Sequence, residues 1–383
     1  MRLLFSCMPW EGHFRPLVPL AHALAGRGHE VAFAAAAAWA PVVEADGFQL
    51  IPAGLSRADA AGLIEPFWAA VEALPPEERR PQTFATIFAR VHAPAKLPEL
   101  LDVARSWEPD AIVFDSCDLA APIAAAALGL PAVNHSFGVM IPLAALEAAR
   151  EHVDALWRGE GLEPDPHAGA FRGLFVDLAP GSFAWERPQG DVVSLRPIAD
   201  ATGSPPEWLE ELEPPLVYVT MGTVHNQAEL FRPLLDGLAA ADGYGSALVT
   251  IGRQGEPGAL GPVPPRVRVE RFVPQAHVLS RATVVVCHGG SGTTLGTLAQ
   301  GLPLVLVPQA ADQFDNSARA ETAGAAVVLR PGEVTGDAVR TALERVLVEP
   351  SFAEAAGAIA REIDRMGDVE AVAAAVEEHA ARR

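Results

Sequence analysis

Two rhythms alternate along this chain: short unbroken apolar runs, and longer stretches whose apolar residues recur three and four positions apart. Arg2 to Cys7 reads as a strand, a loop with Pro9 and Gly12 follows, and Leu17, Leu20, Ala21 and Leu24 recur at helical spacing. Gly26 and Gly28 end that helix and Val31 to Ala34 forms a second strand, so residues 1–35 make a βαβ unit of predicted right-handed connection. The cycle returns with a strand Ala111 to Phe114, a helix Leu119 to Leu128, a break at Gly129 and Pro131, and a strand from Ala132. Between these units, residues 55–105 and 136–185 predict long helices carrying Phe67, Trp68, Phe84, Phe88, Met140, Trp157 and Phe175.

The pattern breaks at Ala201 to Pro215, where Gly203, prolines and carboxylates replace apolar periodicity. Beyond it come strands Leu216 to Thr220, Ser246 to Ile251, Val267 to Glu270, Thr283 to Cys287, Leu304 to Val307 and Ala326 to Leu329. Helices Gln227 to Ala240, Thr293 to Gln300 and Phe314 to Ala323 alternate with them, and from Phe352 the chain is Ala-rich and helical. The expected fold is α/β: two Rossmann-like, doubly wound parallel-sheet domains facing a central cleft. Residues 1–203 form the first domain, 204–215 a linker, 216–350 the second, and 351–383 helices that pack back across the linker. Ligands of such folds bind at the carboxyl ends of the strands.

Composition narrows the choice of partner. At 383 residues with a formal charge of −20, the chain is long enough for two or three domains and repels a phosphate backbone. Nucleic acid is excluded as a partner. Apolar stretches such as Val31 to Val43 fall short of the roughly 18 to 20 residues a membrane span needs, and no apolar signal region follows Met1. The expected location is the cytoplasm. Cys7, Cys117 and Cys287 are widely spaced and read as buried free thiols. With no Asp-x-Asp, no closely spaced histidines and no cysteine pair, neither a metal nor another cofactor is expected.

Chemistry concentrates where strands end. His288-Gly289-Gly290-Ser291-Gly292-Thr293-Thr294 lies between a strand and a helix, where glycines admit a ligand to the backbone and the first helical turn offers unpaired N–H groups. The nest fits a diphosphate, and a plain glycine turn with a helix cap is the alternative. Phe272 could cover a nucleobase and the pair Asp312 and Gln313 could bond sugar hydroxyls, so the three loops together describe a nucleotide-sugar site. Arg253, after the strand ending at Ile251, reads either as a phosphate contact or as a solvated loop arginine.

Phe272-Val273-Pro274-Gln275, the His288 to Thr293 run, Gly301-Leu302-Pro303 and Asp312-Gln313 closely resemble the donor-binding signature of GT-B glycosyltransferases of the UDP-glycosyltransferase superfamily. The bacterial branch that decorates antibiotics is most similar, and Gly12-His13 and Met221-Gly222-Thr223 extend the match. The resemblance implies that Phe272 and Val273 pack the base and that His288, Gly289, Gly290, Ser291, Gly292 and Thr293 surround the diphosphate. It places the transferred hexose on Asp312 and Gln313, and Gly12 and Thr223 also on the donor side. The plant-type signature has Trp where Phe272 stands, and where Gly296 stands it has a Glu that holds both ribose hydroxyls. Loss of that Glu penalises a ribonucleotide more than a deoxyribonucleotide, which favours dTDP-sugar over UDP-sugar.

In the first half, His13 sits between the opening strand and helix, flanked by Trp10, Gly12 and Phe14. An imidazole can take the proton of a weakly nucleophilic acceptor hydroxyl, and a carboxylate on its other nitrogen would orient it. Asp115 stands where related enzymes carry the aspartate of such a dyad; it could instead cap the next helix, and Asp118 is the second candidate. His135 could line the acceptor pocket or replace His13. Trp10, Phe67, Phe84 and Met140 complete the expected acceptor pocket, with ordinary core packing as the alternative for helical aromatics. The resulting expectation is an inverting transferase moving a deoxyhexose to a hydroxyl of an apolar natural product. A nucleotide-sugar epimerase and a non-catalytic sugar-nucleotide binder are the alternatives. Oligomeric state is open, a homodimer included.

Overall fold

A computed structural model describes residues 1–199, 203–222 and 228–382, without the side chains of Pro76 and Ala228. Contacts divide the chain into two units: Met1–Leu178 with Trp185–Arg196 and Gly367–Arg383, and Ala179–Ala184 with Pro197–Met366.

The first unit is built on seven strands: β1 (Arg2–Ser6), β2 (Glu30–Ala35), β3 (Gln49–Pro52), β4 (Ala111–Asp115), β5 (Ala132–His135), β6 (Leu174–Asp177) and β7 (Asp191–Ser194). They pair in parallel in the order β3-β2-β1-β4-β5-β6-β7. A parallel sheet is covered by helices on both faces, which explains its nearly continuous apolar strands. Leu4, Ala32, Ile112 and Phe114 enter one core. Leu3, Phe5, Phe33, Val113 and Val133 enter the other. Strand order reverses between β1 and β4, so the loops leaving these two strands diverge and open a crevice at their carboxyl ends.

In the second unit, β8 (Leu216–Thr220), β9 (Ser246–Thr250), β10 (Val267–Glu270), β11 (Ala282–Cys287), β12 (Leu304–Leu306) and β13 (Ala326–Val328) form a parallel sheet in the order β10-β9-β8-β11-β12-β13. Its reversal lies between β8 and β11, so the loop after Cys287 leaves from a switch point of its own.

Three sequence expectations shift. Segment 136–185 is not wholly helical: after the helix Leu143–Gly159 it contains β6, with Phe175 inside. A four-residue apolar run carries too little periodicity to separate strand from helix. The chain enters the long segment of the second unit at Arg196 and Pro197, ahead of 204–215, and Glu207–Glu211 forms a 3-10 helix whose Leu209 is buried in the second unit. The helices of 351–383, expected to pack back across the linker, divide between the two units. The helix Pro350–Ile363 stays with the second unit, whereas Val369–Ala380 joins the first. Val372, Ala373 and Val376 of that last helix enter the core with Leu20 and Leu24, and Arg27 donates twice to Glu377, at 2.8 and 2.6 Å. No helix among the described residues is long and apolar enough to cross a membrane.

Candidate functional site

His13 is carried by the single helical turn Glu11–Phe14, just after β1, and Asp115 is the last residue of β4. The two sit across the switch point, and His13 Nδ1 lies 2.9 Å from Asp115 Oδ1. Asp115 is fully buried; Oδ1 also accepts the Cys117 N–H at 2.8 Å and Oδ2 accepts the Met8 N–H at 2.7 Å. Burial opposes its charge, but the facing His13 and these backbone donors outweigh it and hold the carboxyl below its ordinary range. An Nδ1–H donated to this carboxylate leaves Nε2 as the basic nitrogen, and the His13 side chain keeps 15% of its surface exposed.

Asp118 is differently employed. Its Oδ2 accepts from Ser6 Oγ and from Lys96 Nζ, both at 2.6 Å. Lys96 is itself buried and donates further to the carbonyls of Cys7 (2.9 Å) and Ala34 (3.2 Å). The ammonium thereby ties the ends of β1 and β2 to the loop after β4.

Aromatic rings surround His13. The centroid of Phe137 is 4.7 Å from its imidazole, that of Trp10 5.3 Å and that of Phe88 5.8 Å. Phe88 belongs to a π-helix, Ala85–His92, set between the helices Pro76–Phe84 and Ala93–Trp107. Pro94 lacks the N–H that would close an α-turn onto Arg90, a break that the wider π turns accommodate. Phe84 touches Phe88 at 5.1 Å. Phe67 instead lies under the Arg90 guanidinium, 3.7 Å away, in a satellite cluster with Ile64 and Val91. Met140 is buried. His135 is fully buried beside Asp115 in register, its Nδ1 bonded to Ser136 O, and burial lowers its pKa to about 4. Phe137 and His92 were absent from the sequence reading, although a place just after a strand end was a usable signal for Phe137.

In the second unit, β11 runs into His288, Gly289 and Gly290, and the helix Ser291–Ala299 begins directly after them. A Cβ at Gly222 or Gly290 would stand 2.6 or 2.5 Å from the His288 ring, so glycines on two loops make room for that imidazole. Apart from chain neighbours and their own helix backbone, no atom of the described residues lies within 4 Å of where a Cβ would stand at Gly12 or Gly292. Ser291 Oγ donates to Asp312 Oδ2 at 2.7 Å, and Asn316 Nδ2 donates to Asp312 Oδ2, Ser291 Oγ and Gly289 O at 2.9 to 3.0 Å. Asn316, one helical turn after Asp312, was not singled out from sequence; the i, i+4 spacing was the available signal. Gln313 Oε1 accepts the Gln309 and Ala310 N–H groups, so that oxygen braces its own loop. Gln275 Nε2 donates to Thr293 Oγ1 at 3.1 Å.

The Arg253 guanidinium lies 3.5 Å over the half-exposed Phe272 ring, at a groove of about 530 Å³ lined also by Val269 and Glu270. Val273 is buried, which leaves only its backbone to meet a base. Thr223 lies outside the described residues.

Among the described residues, ligand atoms of His13, Asp115 and Cys117 all lie within 4.8 Å, a grouping that sequence spacing does not reveal. An ion there would compete with the N–H donors of Met8, His13 and Cys117 for the Asp115 oxygens.

Two doubly wound units, each with its polar loops at a strand-order reversal, define a GT-B architecture. Profiles of the N- and C-terminal domains of erythromycin biosynthesis protein CIII-like proteins match residues 22–215 and 232–378. L-demethylnoviosyl transferase of Streptomyces niveus is 34% identical over 339 residues, 86% of this chain and 85% of that protein. Elloramycin glycosyltransferase ElmGT of Streptomyces olivaceus is 32% identical, over 95% of this chain and 93% of that one. Spinosyn rhamnosyltransferase SpnG, solved with thymidine diphosphate, superposes with a TM-score of 0.80 at 27% identity, covering 98% of this chain and 100% of that one. The chain belongs to the erythromycin biosynthesis protein CIII-like family of GT-B glycosyltransferases, and is a glycosyltransferase.

Proposed function

We propose that this enzyme moves a deoxyhexose from a dTDP- or UDP-sugar to a hydroxyl of an apolar natural product, with inversion and without a metal. The acceptor proton passes to His13 Nε2 and the acceptor oxygen bonds to the anomeric carbon. The bond from that carbon to the diphosphate breaks, and its electron pair leaves with the nucleotide. Asp115 holds the imidazole in the productive tautomer and offsets the positive charge that develops on it. On the leaving group, His288 and the amides opening the helix at Ser291 stabilise the growing negative charge.

The contact between His13 Nδ1 and the buried Asp115 carries this reading. The thymidine diphosphate bound by SpnG supports a dTDP donor, as does Gly296 in place of a ribose-holding carboxylate. The enzyme is expected to work in the cytoplasm, Thr223 is expected to help hold the diphosphate, and Arg253 and Phe272 to frame the base.

Incubation with dTDP- and UDP-sugars, following nucleotide release with and without acceptor, tests the proposal. Acceptor-dependent release that His13→Ala abolishes, with dTDP affinity retained, is the expected result. Turnover surviving in His13→Ala would remove the base, and conversion of the donor without acceptor would indicate an epimerase.

A further inference from the structure

The π-helix that supplies Phe88 ends in a side chain that the reaction outlined above does not use. His92 is 1% exposed, and its Nε2 is buried without a hydrogen-bond partner among the described residues. Burial first, then the charges of Lys96 and His13, lower its pKa to about 4 against an opposing pull from Asp115. Near neutral pH it is therefore an uncharged imidazole, with one nitrogen to donate and one to accept. A buried polar atom without a partner destabilises a fold, so an unmet nitrogen beside a reaction centre points to a ligand that meets it.

The neighbouring rings indicate which ligand. Trp10 lies 5.3 Å from His92 and 5.3 Å from His13, and Phe88 lies 6.4 and 5.8 Å from the same two imidazoles. Both histidines thus border one indole and one phenyl, while Phe137 closes another side of His13. Rings tilted 44° to 47° around His13 offer faces and edges to a flat ring, which gains from such contacts beyond the area it buries. A phenolic proton, with a pKa of about 10 as in tyrosine, is also far easier for an imidazole to remove than that of an alkyl alcohol.

We infer that the acceptor is a planar phenol bearing a second hydrogen-bonding group on its ring system, and that His92 is the specificity-determining residue that binds this group. The inference rests on the reading of His13 as the acceptor-facing base, but its test is binding and requires no turnover.

Calorimetric titration of the whole protein with 2-naphthol, a set of naphthalenediols and the saturated decahydro-2-naphthol provides that test. At least one diol is expected to bind about tenfold more tightly than 2-naphthol, as one well-made hydrogen bond allows, and the saturated alcohol more weakly than either. In His92→Phe the diol preference disappears while 2-naphthol binds as before. His92→Gln keeps part of the preference and carries the test should His92→Phe not fold. A preference that survives both substitutions, no preference in the native protein, or equal binding of the saturated alcohol would overturn the inference. His13→Ala retains the diol preference, so failure here and failure of the transfer mechanism are read separately.

Discussion

His13 Nδ1 and Asp115 Oδ1 meet at 2.9 Å although 102 positions separate the two residues, because β1 and β4 are neighbours in the sheet and strand order reverses between them. The ionised carboxylate thus orients the imidazole before any substrate arrives. Asp115→Asn keeps the shape but can present its amide N–H to the ring and favour the wrong tautomer. It is expected to lower kcat by about a thousandfold or more with little change in donor KM. Steady-state kinetics with varied donor checks this, and an equal loss through KM would show that Asp115 serves binding.

Lys96 and Asp118 form a buried ion pair, 2% and 0% exposed, whose ammonium has an acceptor for each of its three protons. Removing one partner strands the other charge in the interior. Lys96→Met is expected to lose about 3–5 kcal/mol of stability, and Lys96→Met with Asp118→Asn to recover most of it. Urea denaturation of the single and double variants measures the difference; equal losses in both would mean that the hydrogen bonds to Cys7 and Ala34 dominate.

Asn316 spans the loop after β11 and the helix after β12 through an amide whose two protons are shared among three acceptors. Asn316→Ala frees Ser291 and Asp312 from a common geometry without touching the first unit's aromatic cluster. Donor affinity should fall about tenfold or more while naphthol binding stays unchanged. Titration with dTDP and with 2-naphthol on the same variant separates the two.

His92 and His135 are both lowered to about 4 by burial. As pH falls below about 6.5, an unfolded chain takes up these protons while the folded one does not. Stability is therefore complete above that value and is lost as pH drops toward about 4, by on the order of 3 kcal/mol for each histidine. His152 and His379 shift in the same direction and steepen the fall. Unfolding midpoints at pH 7.5 and 4.5 should diverge less in His92→Phe than in the native protein, and an unchanged gap would exclude His92 as a source.

Much of the second unit's candidate site was legible because its chemistry is local. His288, the glycines and Ser291 lie in one loop between an apolar strand and a helix, and Asp312 follows the next strand by a short loop. Where the pattern thinned, so did the reading: β6 is four residues long and was lost inside a helical expectation, and Asn316 looked like any polar residue on a helix. The first unit's candidate site was less legible still. Phe88 read as one helical aromatic among several, and its place against His13 depends on π turns that no periodicity announces.

From its order of residues alone, this chain determined two parallel-sheet units, a glycine nest at a helix start and a histidine at the first strand's end, because each depends on neighbours a few positions away. Tertiary structure decided that Asp115 rather than Asp118 meets His13, that Lys96 occupies the other carboxylate, and that Trp10, Phe88, His92 and Phe137 gather at one place. Those outcomes depend on which strands become adjacent and on which buried charges find partners. Only the packed sheet can settle both together.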